Sequence, residues 1–77
     1  MAEQKRPFDV LNESKGKNIL VELKNGKTIS GKLIAFDPHI NISMENAKEV
    51  SQSGETVREV GKLFIRGDMI ISISPGE

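Results

Sequence analysis

The sequence has no cysteine, no tryptophan and no tyrosine among its 77 residues, and it has one histidine. The absence of cysteine excludes disulfide bonds and zinc sites that use thiolate ligands. A single histidine is too few to build a histidine-rich metal site. We therefore expect neither a bound metal nor a cofactor. The absence of cysteine also agrees with a reducing, intracellular environment.

Long apolar segments are absent as well. No run approaches the ~18 apolar residues that a membrane-spanning helix requires. Residues 1–5 are polar and lack the apolar centre of a signal peptide. These observations predict a cytoplasmic protein.

Charge of one sign is not in excess, since 11 Lys and Arg residues balance 11 Asp and Glu residues. This balance argues against a protein that binds polyanions through a strong overall positive field. Any binding of nucleic acid must therefore depend on a local site where charge is concentrated.

The length indicates a single domain over residues 1–77. A domain of this size buries only about 60% of the surface that its unfolded chain exposes, so it is marginally stable alone. Disulfides, metals or oligomerisation commonly supply the missing stability. Because disulfides are excluded and no metal is expected, we expect this chain to oligomerise.

The first predicted element is a short helix over about residues 7–14. Pro7 suits the first helical turn because its φ is already close to the helical value. Asp9 interacts favourably with the N-terminal end of the helix dipole. Gly16 is a suitable residue for the end of the helix.

Beyond Gly16 the apolar residues recur every second position, which predicts β-strands. Five short strands are indicated, separated by turns. Their apolar residues are Ile19, Val21 and Leu23; Ile29, Leu33 and Ala35; Ile40, Ile42 and Met44; Val57, Leu63 and Ile65 within Thr56–Ile65; and Met69, Ile71 and Ile73.

Turn-forming residues separate these strands. Asn25-Gly26 predicts a type I′ hairpin turn, which needs positive φ at both residues. Gly31, inside a strand, predicts a bend or bulge. Asp37-Pro38 and Arg66-Gly67-Asp68 predict tight turns, and residues 51–54 predict a polar loop.

The predicted fold is therefore mostly β, with a short N-terminal helix followed by a strongly bent, five-stranded open barrel over about residues 18–74. An open barrel leaves two edge strands, and the apolar residues of the fourth and fifth strands would suit pairing with neighbouring copies if both are edges. Exposed edges tend to be covered or paired. Head-to-tail pairing between copies would cover them and could close into a ring.

The first group of candidate functional residues surrounds the Asp37-Pro38 turn. Asp37, His39 and Asn41 are two residues apart, and in an extended chain they would point the same way. His39 offers a flat ring for stacking, and Asn41 offers both a donor and an acceptor for the edge of a base.

The second group is the tight turn Arg66-Gly67-Asp68. Arg66 offers a planar cation that can stack on a base or hold a phosphate. Gly67 lets backbone approach closely. Together the two groups have the components of a pocket for single-stranded RNA, namely stacking groups and hydrogen bonds to a base edge.

Each of these residues also has a simpler explanation. His39 could be a solvated turn residue, Asp37 could only start a turn, and Asn41 could only bond to backbone. Arg-Gly-Asp is a common hairpin turn and also an adhesion motif, although nothing else in the sequence suggests secretion. The three phenylalanines are better explained as core residues than as stacking platforms.

Taken jointly, the two groups resemble the bipartite signature of the Sm and Sm-like (LSm) family, and archaeal members most of all. The resemblance extends over about residues 7–75, with both halves in order behind a helix. The matching segments are Arg6 to Leu11; Leu23-Lys24-Asn25-Gly26 with Gly31 and Leu33; Phe36 to Asn41, continuing to Ala47; and Ile65-Arg66-Gly67-Asp68 followed by an apolar strand.

The resemblance implies an Sm fold, which is an SH3-like barrel, and a homo-oligomeric ring formed by pairing of the fourth and fifth strands. Archaeal rings are mostly heptamers and sometimes hexamers. The family binds uridine-rich single-stranded RNA at the pore rim and acts in RNA processing, chaperoning or turnover, so RNA-processing proteins are implied partners.

The resemblance also assigns roles by position. His39 and Arg66 would stack on the two faces of uracil, and Asn41 would read its edge. Asp37 would hold the turn, and Asp68 would brace the pocket or contribute its backbone beside Gly67. Some archaeal rings have an outer RNA contact near the helix, which Arg6 and Phe36 match by position.

Two positions depart from the family pattern. Met69 stands where a polar residue is common, and Phe36 stands where tyrosine is common, so a hydroxyl contact would be missing. Neither position belongs to the inner pocket.

Two other functions are alternatives to RNA binding. A ring that serves only as a protein-interaction scaffold would use the same barrel. An SH3-type peptide groove needs several surface aromatics, and this sequence has no tryptophan and no tyrosine, so a peptide groove of that kind is disfavoured. An enzyme is not expected, since the sequence has no cysteine nucleophile, no glycine-rich phosphate loop and no cluster of metal ligands. We therefore expect no catalytic residues.

Overall fold

A short helix and five strands make up the fold in the computed structural model, which describes residues 7–76 and the side chains of residues 9–76. One turn of 3₁₀ helix, Gly67–Met69, precedes the last strand. The elements are α1 Pro7–Glu13, β1 Asn18–Leu23, β2 Thr28–Phe36, β3 Ile42–Val50, β4 Thr56–Ile65 and β5 Ile70–Pro75.

The strands form one sheet in the order β4-β3-β2-β1-β5, and neighbouring strands are antiparallel. The sheet bends strongly but does not close, because β4 pairs only with β3 and β5 only with β1 within the described chain. The predicted open barrel with β4 and β5 as its edges is therefore confirmed.

The interior of the bent sheet is filled by aliphatic side chains from one face of each strand. Ile19, Val21 and Leu33 are almost completely buried, as the period-two pattern predicts. Leu11 of α1 belongs to the same buried cluster. The remaining buried residues are Leu23, Ile29, Ile42, Met44, Ala47 and Ile65.

Gly31 lies at a close approach of β2 to β3. A Cβ atom at this position would stand 2.9 Å from the Cα of Ala47 and 3.2 Å from the carbonyl oxygen of Glu45. The pairing of β2 with β3 shifts its register between Ser30 and Lys32. The bend or bulge predicted at Gly31 is confirmed, and it lets the sheet curl.

The β1–β2 turn differs from the prediction. Gly26 has a positive φ of 89°, but Asn25 is not among the described non-glycine residues with positive φ. The Gly26 N–H donates to the Leu23 carbonyl at 2.9 Å, and the Leu23 N–H donates to the Lys27 carbonyl at 2.9 Å. The type I′ prediction is therefore wrong, since the loop has three residues and ends with a left-handed glycine.

Two predicted alternations also fail, in each case beside a shift of register. Ala35 is exposed because the pairing of β2 with β3 shifts between Leu33 and Ala35. In β5 the half-buried residues are Ile70 and Ile73, whereas Ile71 is 59% exposed. Met69 belongs to the 3₁₀ turn, and a shift at Glu22/Leu23 in the β1–β5 pairing breaks the period of two.

Candidate nucleic-acid interface

The loop between β2 and β3, residues 37–41, is held together by the carboxylate of Asp37. Its Oδ1 accepts the backbone N–H of His39 at 2.9 Å and that of Asn41 at 3.1 Å. The backbone of Asp37 adds two bonds, since its N–H donates to the Asn41 carbonyl and its carbonyl accepts from Ile40. The loop that contains His39 and Asn41 is therefore folded around Asp37.

The side-chain amide of Asn41 is held at both ends. Its Nδ2 donates to Asp37 Oδ2 at 3.0 Å, and its Oδ1 accepts the Gly67 N–H at 2.7 Å. A carboxylate only accepts hydrogen bonds and a backbone N–H only donates. Both partners therefore specify the same orientation of the amide. Each end of the amide has capacity for one further bond, one donated and one accepted.

Gly67 is the point at which the two predicted groups meet. A Cβ atom here would clash with the carbonyl oxygen of His39 and would lie 3.0 Å from the carbonyl carbon of Ile40. The φ of Gly67 is not positive, so the need for glycine is one of space. This contact and the Asn41–Gly67 hydrogen bond join the β2–β3 loop to the turn before β5.

The stacking candidates are exposed. His39 lies at the surface beside Gly67, where both line an open groove of about 610 Å³ between α1 and β5. Arg66 Nη2 lies 3.2 Å from Asp68 Oδ2, and these side chains are 76% and 62% exposed. An exposed ion pair adds little stability. Its effect is to restrict the orientation of the guanidinium beside Gly67.

The structure therefore brings the six predicted inner residues together in two ways. Asp37, Asn41 and Gly67 are linked directly by hydrogen bonds. His39 joins them through its backbone only, and Arg66 and Asp68 pair with each other next to Gly67. The arrangement presents one oriented amide with exposed cationic and aromatic groups at the same edge of the barrel.

The hydrogen bonds also stabilise the ionised form of Asp37. Chiefly because the Asn41 amide donates to it, the pKa of the Asp37 carboxyl lies below its ordinary value of 3.8. Desolvation opposes this shift, whereas the backbone N–H groups of Asn41 and His39 and the charge of His39 favour it. At neutral pH the carboxylate is therefore ionised and acts only as an acceptor.

The outer contact implied by the resemblance is described in part. Arg6 lies outside the described residues. Phe36 is half-buried, and the Nζ of Lys15 lies 5.9 Å from the centroid of its ring, within the range of a cation–π contact. Sequence reasoning missed Lys15, because no spacing in the sequence links the loop after α1 to the end of β2.

The family model of the LSM domain matches residues 9–75. The chain belongs to the LSM domain family. The resemblance found in the sequence is thereby confirmed, and the match includes all six inner residues of the candidate site.

Relatives and solved structures agree with this assignment. A protein named as snRNP Sm-like from Pyrococcus furiosus is 49% identical over 77 residues, which are 100% of this chain and 97% of the relative. The Sm protein of Pyrococcus abyssi, solved with a uridine heptamer, superposes with a TM-score of 0.85 at 42% identity, over 92% of this LSM chain and 99% of its own. The SmAP1 heptamer of Pyrobaculum aerophilum gives a TM-score of 0.85 at 32% identity, over 97% and 99% of the two chains.

No helix within residues 7–76 is long and apolar enough to cross a membrane. No group of three or more His, Asp or Glu side chains in the described part of the chain is arranged to hold a metal ion.

Proposed function

We propose that this LSM chain is one subunit of a homo-oligomeric ring, a heptamer, that binds uridine-rich single-stranded RNA at the rim of its pore. The observation that supports this most directly is the double anchoring of the Asn41 amide by Asp37 and Gly67. It leaves an oriented donor and an oriented acceptor for a base edge, next to two groups that can stack on the base faces.

The orientation of this amide favours uracil. Uracil presents a donor at N3 and an acceptor at O4, and an amide with its Nδ2 and Oδ1 held in place can bond to both. Cytosine presents the opposite polarity at these atoms, so a fixed amide mismatches it. Selectivity then follows from the partners that prevent the amide from rotating, since a site built for one hydrogen-bond pattern leaves its polar groups unpaired with another.

His39 and Arg66 would supply the stacking. A stacked base contributes about 1–3 kcal/mol when measured by truncation. One pocket therefore binds weakly, and a ring that presents the same pocket several times gains affinity through effective concentration. Asp68 would hold the Arg66 guanidinium at the rim through the ion pair between them.

The two edge strands support assembly into a ring. β4 exposes Val57 and Phe64, which are 60% and 65% accessible in the single chain, and β5 exposes Ile71 at 59%. Pairing β4 of one copy with β5 of the next would satisfy both edges and remove this apolar surface from water. The heptameric state of the SmAP1 relative supports the same arrangement.

We propose that the chain acts by binding and not by catalysis. Asp37, the carboxylate beside His39, accepts the backbone N–H of that residue and is further engaged by Asn41. In a catalytic His–Asp pair the carboxylate would instead contact the imidazole ring and orient it.

The test measures the binding of labelled oligo-U, oligo-C and oligo-A at one fixed salt concentration, to protein whose assembly state is determined in the same sample. We expect tight binding of oligo-U by the ring and much weaker binding of oligo-C. Equal binding of all three, or none, would contradict the proposal. It would favour the alternative, a ring-shaped protein-interaction scaffold without base-specific RNA binding.

A further inference from the structure

The hairpin loops that join β1 to β2, β2 to β3 and β3 to β4 share one set of backbone hydrogen bonds. In each loop the first residue donates its N–H to the carbonyl four positions on, and its own carbonyl accepts the N–H three positions on, at 2.8 to 3.1 Å. The three loops begin at Leu23, Asp37 and Ser51. This is the pattern of the three-residue hairpin loop, whose last residue has a left-handed backbone.

The left-handed residue of the pocket loop is unlike those of the other two loops. Glycine occupies the position in both of them, as Gly26 with a φ of 89° and Gly54 with a φ of 92°, whereas the β2–β3 loop has Ile40 with a φ of 62°. Asn46 is the other described non-glycine residue with a positive φ, and asparagine tolerates it. A β-branched residue does not, so the backbone of the pocket loop is strained at Ile40.

The side chain of Ile40 is anchored in the interior. It is half-buried and packs against the buried core cluster. With Leu11 of α1 and Ile70 and Ile73 of β5, it lines the groove between the helix and the last strand. The packing of Ile40 on the core lies within one chain, so pairing of β5 with a neighbouring copy would leave it in place. A glycine at this position would have no such anchor.

The carbonyl group of Ile40 lies directly against the second half of the pocket. A Cβ atom on Gly67 would lie 3.0 Å from both the carbonyl carbon and the carbonyl oxygen of Ile40. The next residue, Asn41, accepts the Gly67 N–H at 2.7 Å. Rotation about the φ of Ile40 would move its carbonyl and Asn41 together, relative to Asp37 and His39. The left-handed backbone of Ile40 therefore sets where the Asn41 amide lies.

We propose that Ile40 is a positioning residue for the pocket, an inference that rests on the proposed function. Its anchored side chain holds the loop in a strained backbone conformation, and this conformation places the peptide between Ile40 and Asn41 against Gly67. Strain of this kind persists only where the surrounding packing determines the conformation. A residue without the anchor would relieve the strain but would leave the Asn41 amide less firmly placed for uracil.

The test compares rings of wild type with rings that contain Ile40→Gly, Ile40→Asn or Ile40→Leu. Glycine and asparagine both accept a left-handed backbone and both remove the apolar anchor, and asparagine does so without the flexibility of glycine. Leucine keeps the volume of the anchor. Ile29→Val is the control, because it loosens the buried core at the opposite end of β2.

Two quantities are measured in each ring, with assembly confirmed in the same sample. One is the ratio of oligo-U to oligo-C affinity at fixed salt, and the other is the hydrogen exchange rate of the Gly67 N–H without RNA. In the glycine and asparagine variants we expect the ratio to fall by roughly two- to tenfold, the effect of one hydrogen bond, and Gly67 to exchange faster. Ile40→Leu and Ile29→Val should resemble wild type in both.

A wild-type ratio and a wild-type Gly67 exchange rate in Ile40→Gly and Ile40→Asn would overturn the proposal, because the left-handed backbone would then suffice without the anchor. An equal fall of the ratio in Ile29→Val would also overturn it, since the ratio would then follow the stability of the core in general.

Ile40→Val, which shortens the anchor by one methyl group, decides the matter if the glycine and asparagine variants do not assemble. Faster Gly67 exchange in that ring would support the proposal, and a wild-type rate would overturn it. A wild-type ring without preference for oligo-U would contradict the proposed function, whereas faster Gly67 exchange in the Ile40 variants would still support the anchor.

Discussion

The two halves of the candidate pocket are built differently. The half that would read the base edge consists of Asp37, Asn41 and Gly67, which are partly buried and joined by hydrogen bonds of 2.7 to 3.0 Å. The half that would stack on the base faces consists of His39 and Arg66, whose side chains lie at the surface. One half is therefore fixed before any RNA binds, whereas the other is exposed, with Arg66 held only by a surface ion pair.

This difference separates selectivity from affinity. A donor and an acceptor discriminate between bases only if they cannot rotate. The entropy cost of fixing them must therefore be met when the chain folds and not when RNA binds. Stacking tolerates every base because each has a π-face, so exposed and adaptable groups suffice. Changes in the fixed half should therefore alter base preference, and changes in the exposed half should alter affinity alone.

The largest effect is expected from Gly67→Ala, which would break the contact between the halves. The added Cβ atom meets the backbone of His39 and Ile40, and neither can yield without moving the loop. Loss of both the Asn41 bond and the stacking geometry should weaken oligo-U binding by roughly a hundredfold or more. Titration of labelled oligo-U at fixed salt measures this loss.

Gly54→Ala is the matched control for that change. Gly54 has a φ of 92° in the β3–β4 loop, and nothing lies within 4 Å of its Cβ position. Its substitution introduces backbone strain of about 1–2 kcal/mol without touching the pocket. If Gly54→Ala and Gly67→Ala weaken oligo-U binding equally, the close approach at Gly67 is not what joins the halves.

Asn41→Ala should have the next largest effect and should act on preference. It removes the oriented amide and leaves the Gly67 N–H without its partner, at a cost of about 1–3 kcal/mol. We expect oligo-U affinity to fall roughly tenfold or more and approach that for oligo-C, in rings that remain assembled. Asn12→Ala, on the exposed surface of α1, is the control. An unchanged ratio of oligo-U to oligo-C affinity would refute the role of Asn41.

His39→Ala tests the exposed half of the pocket, which would stack on the base faces. Removing one stacking partner should weaken binding by up to about 1–3 kcal/mol per base. The loss should be similar for oligo-U and oligo-C, and thermal unfolding should be unchanged because the side chain is exposed. If oligo-U alone is affected, His39 reads the base edge and the proposed separation of the two halves is wrong.

The fold could be predicted from the sequence where the period of two is undisturbed. Ile19, Val21 and Leu33 are buried as their spacing indicates. The prediction fails at Ala35 and Ile71, since register shifts are properties of strand pairs and cannot be read from one strand alone. The turn at Asn25-Gly26 was predicted wrongly because Asn-Gly suits more than one hairpin loop.

The residues of the site could be predicted from the sequence, but the hydrogen bonds between them could not. The sequence indicates that Asp37, Asn41 and Gly67 belong to two turns with polar residues. It cannot indicate that Asn41 Oδ1 meets the Gly67 N–H, 26 positions along the chain, because that contact depends on how far the sheet bends. Lys15 beside Phe36 was missed for the same reason.

The smallest effect near neutral pH is expected from titration of Asp37, and it tests whether this carboxylate holds the fixed half together. Its pKa is lowered in the folded chain, so its contribution to stability is fully present above the ordinary value of 3.8 and is lost as the pH falls through the depressed pKa. Oligo-U preference governed by this group should therefore be flat from pH 7 to pH 5, since pH 5 still lies about 1 unit above the ordinary value of 3.8 and the pKa of Asp37 is lower than that value. Asp37→Asn should make the preference for oligo-U weaker at every pH, because an amide can donate where the carboxylate only accepts and no longer specifies the orientation of Asn41.

A wild-type preference that declines already between pH 7 and pH 5, with Asp37→Asn declining in parallel, would assign the titration to another group and leave Asp37 with a purely structural role in the turn.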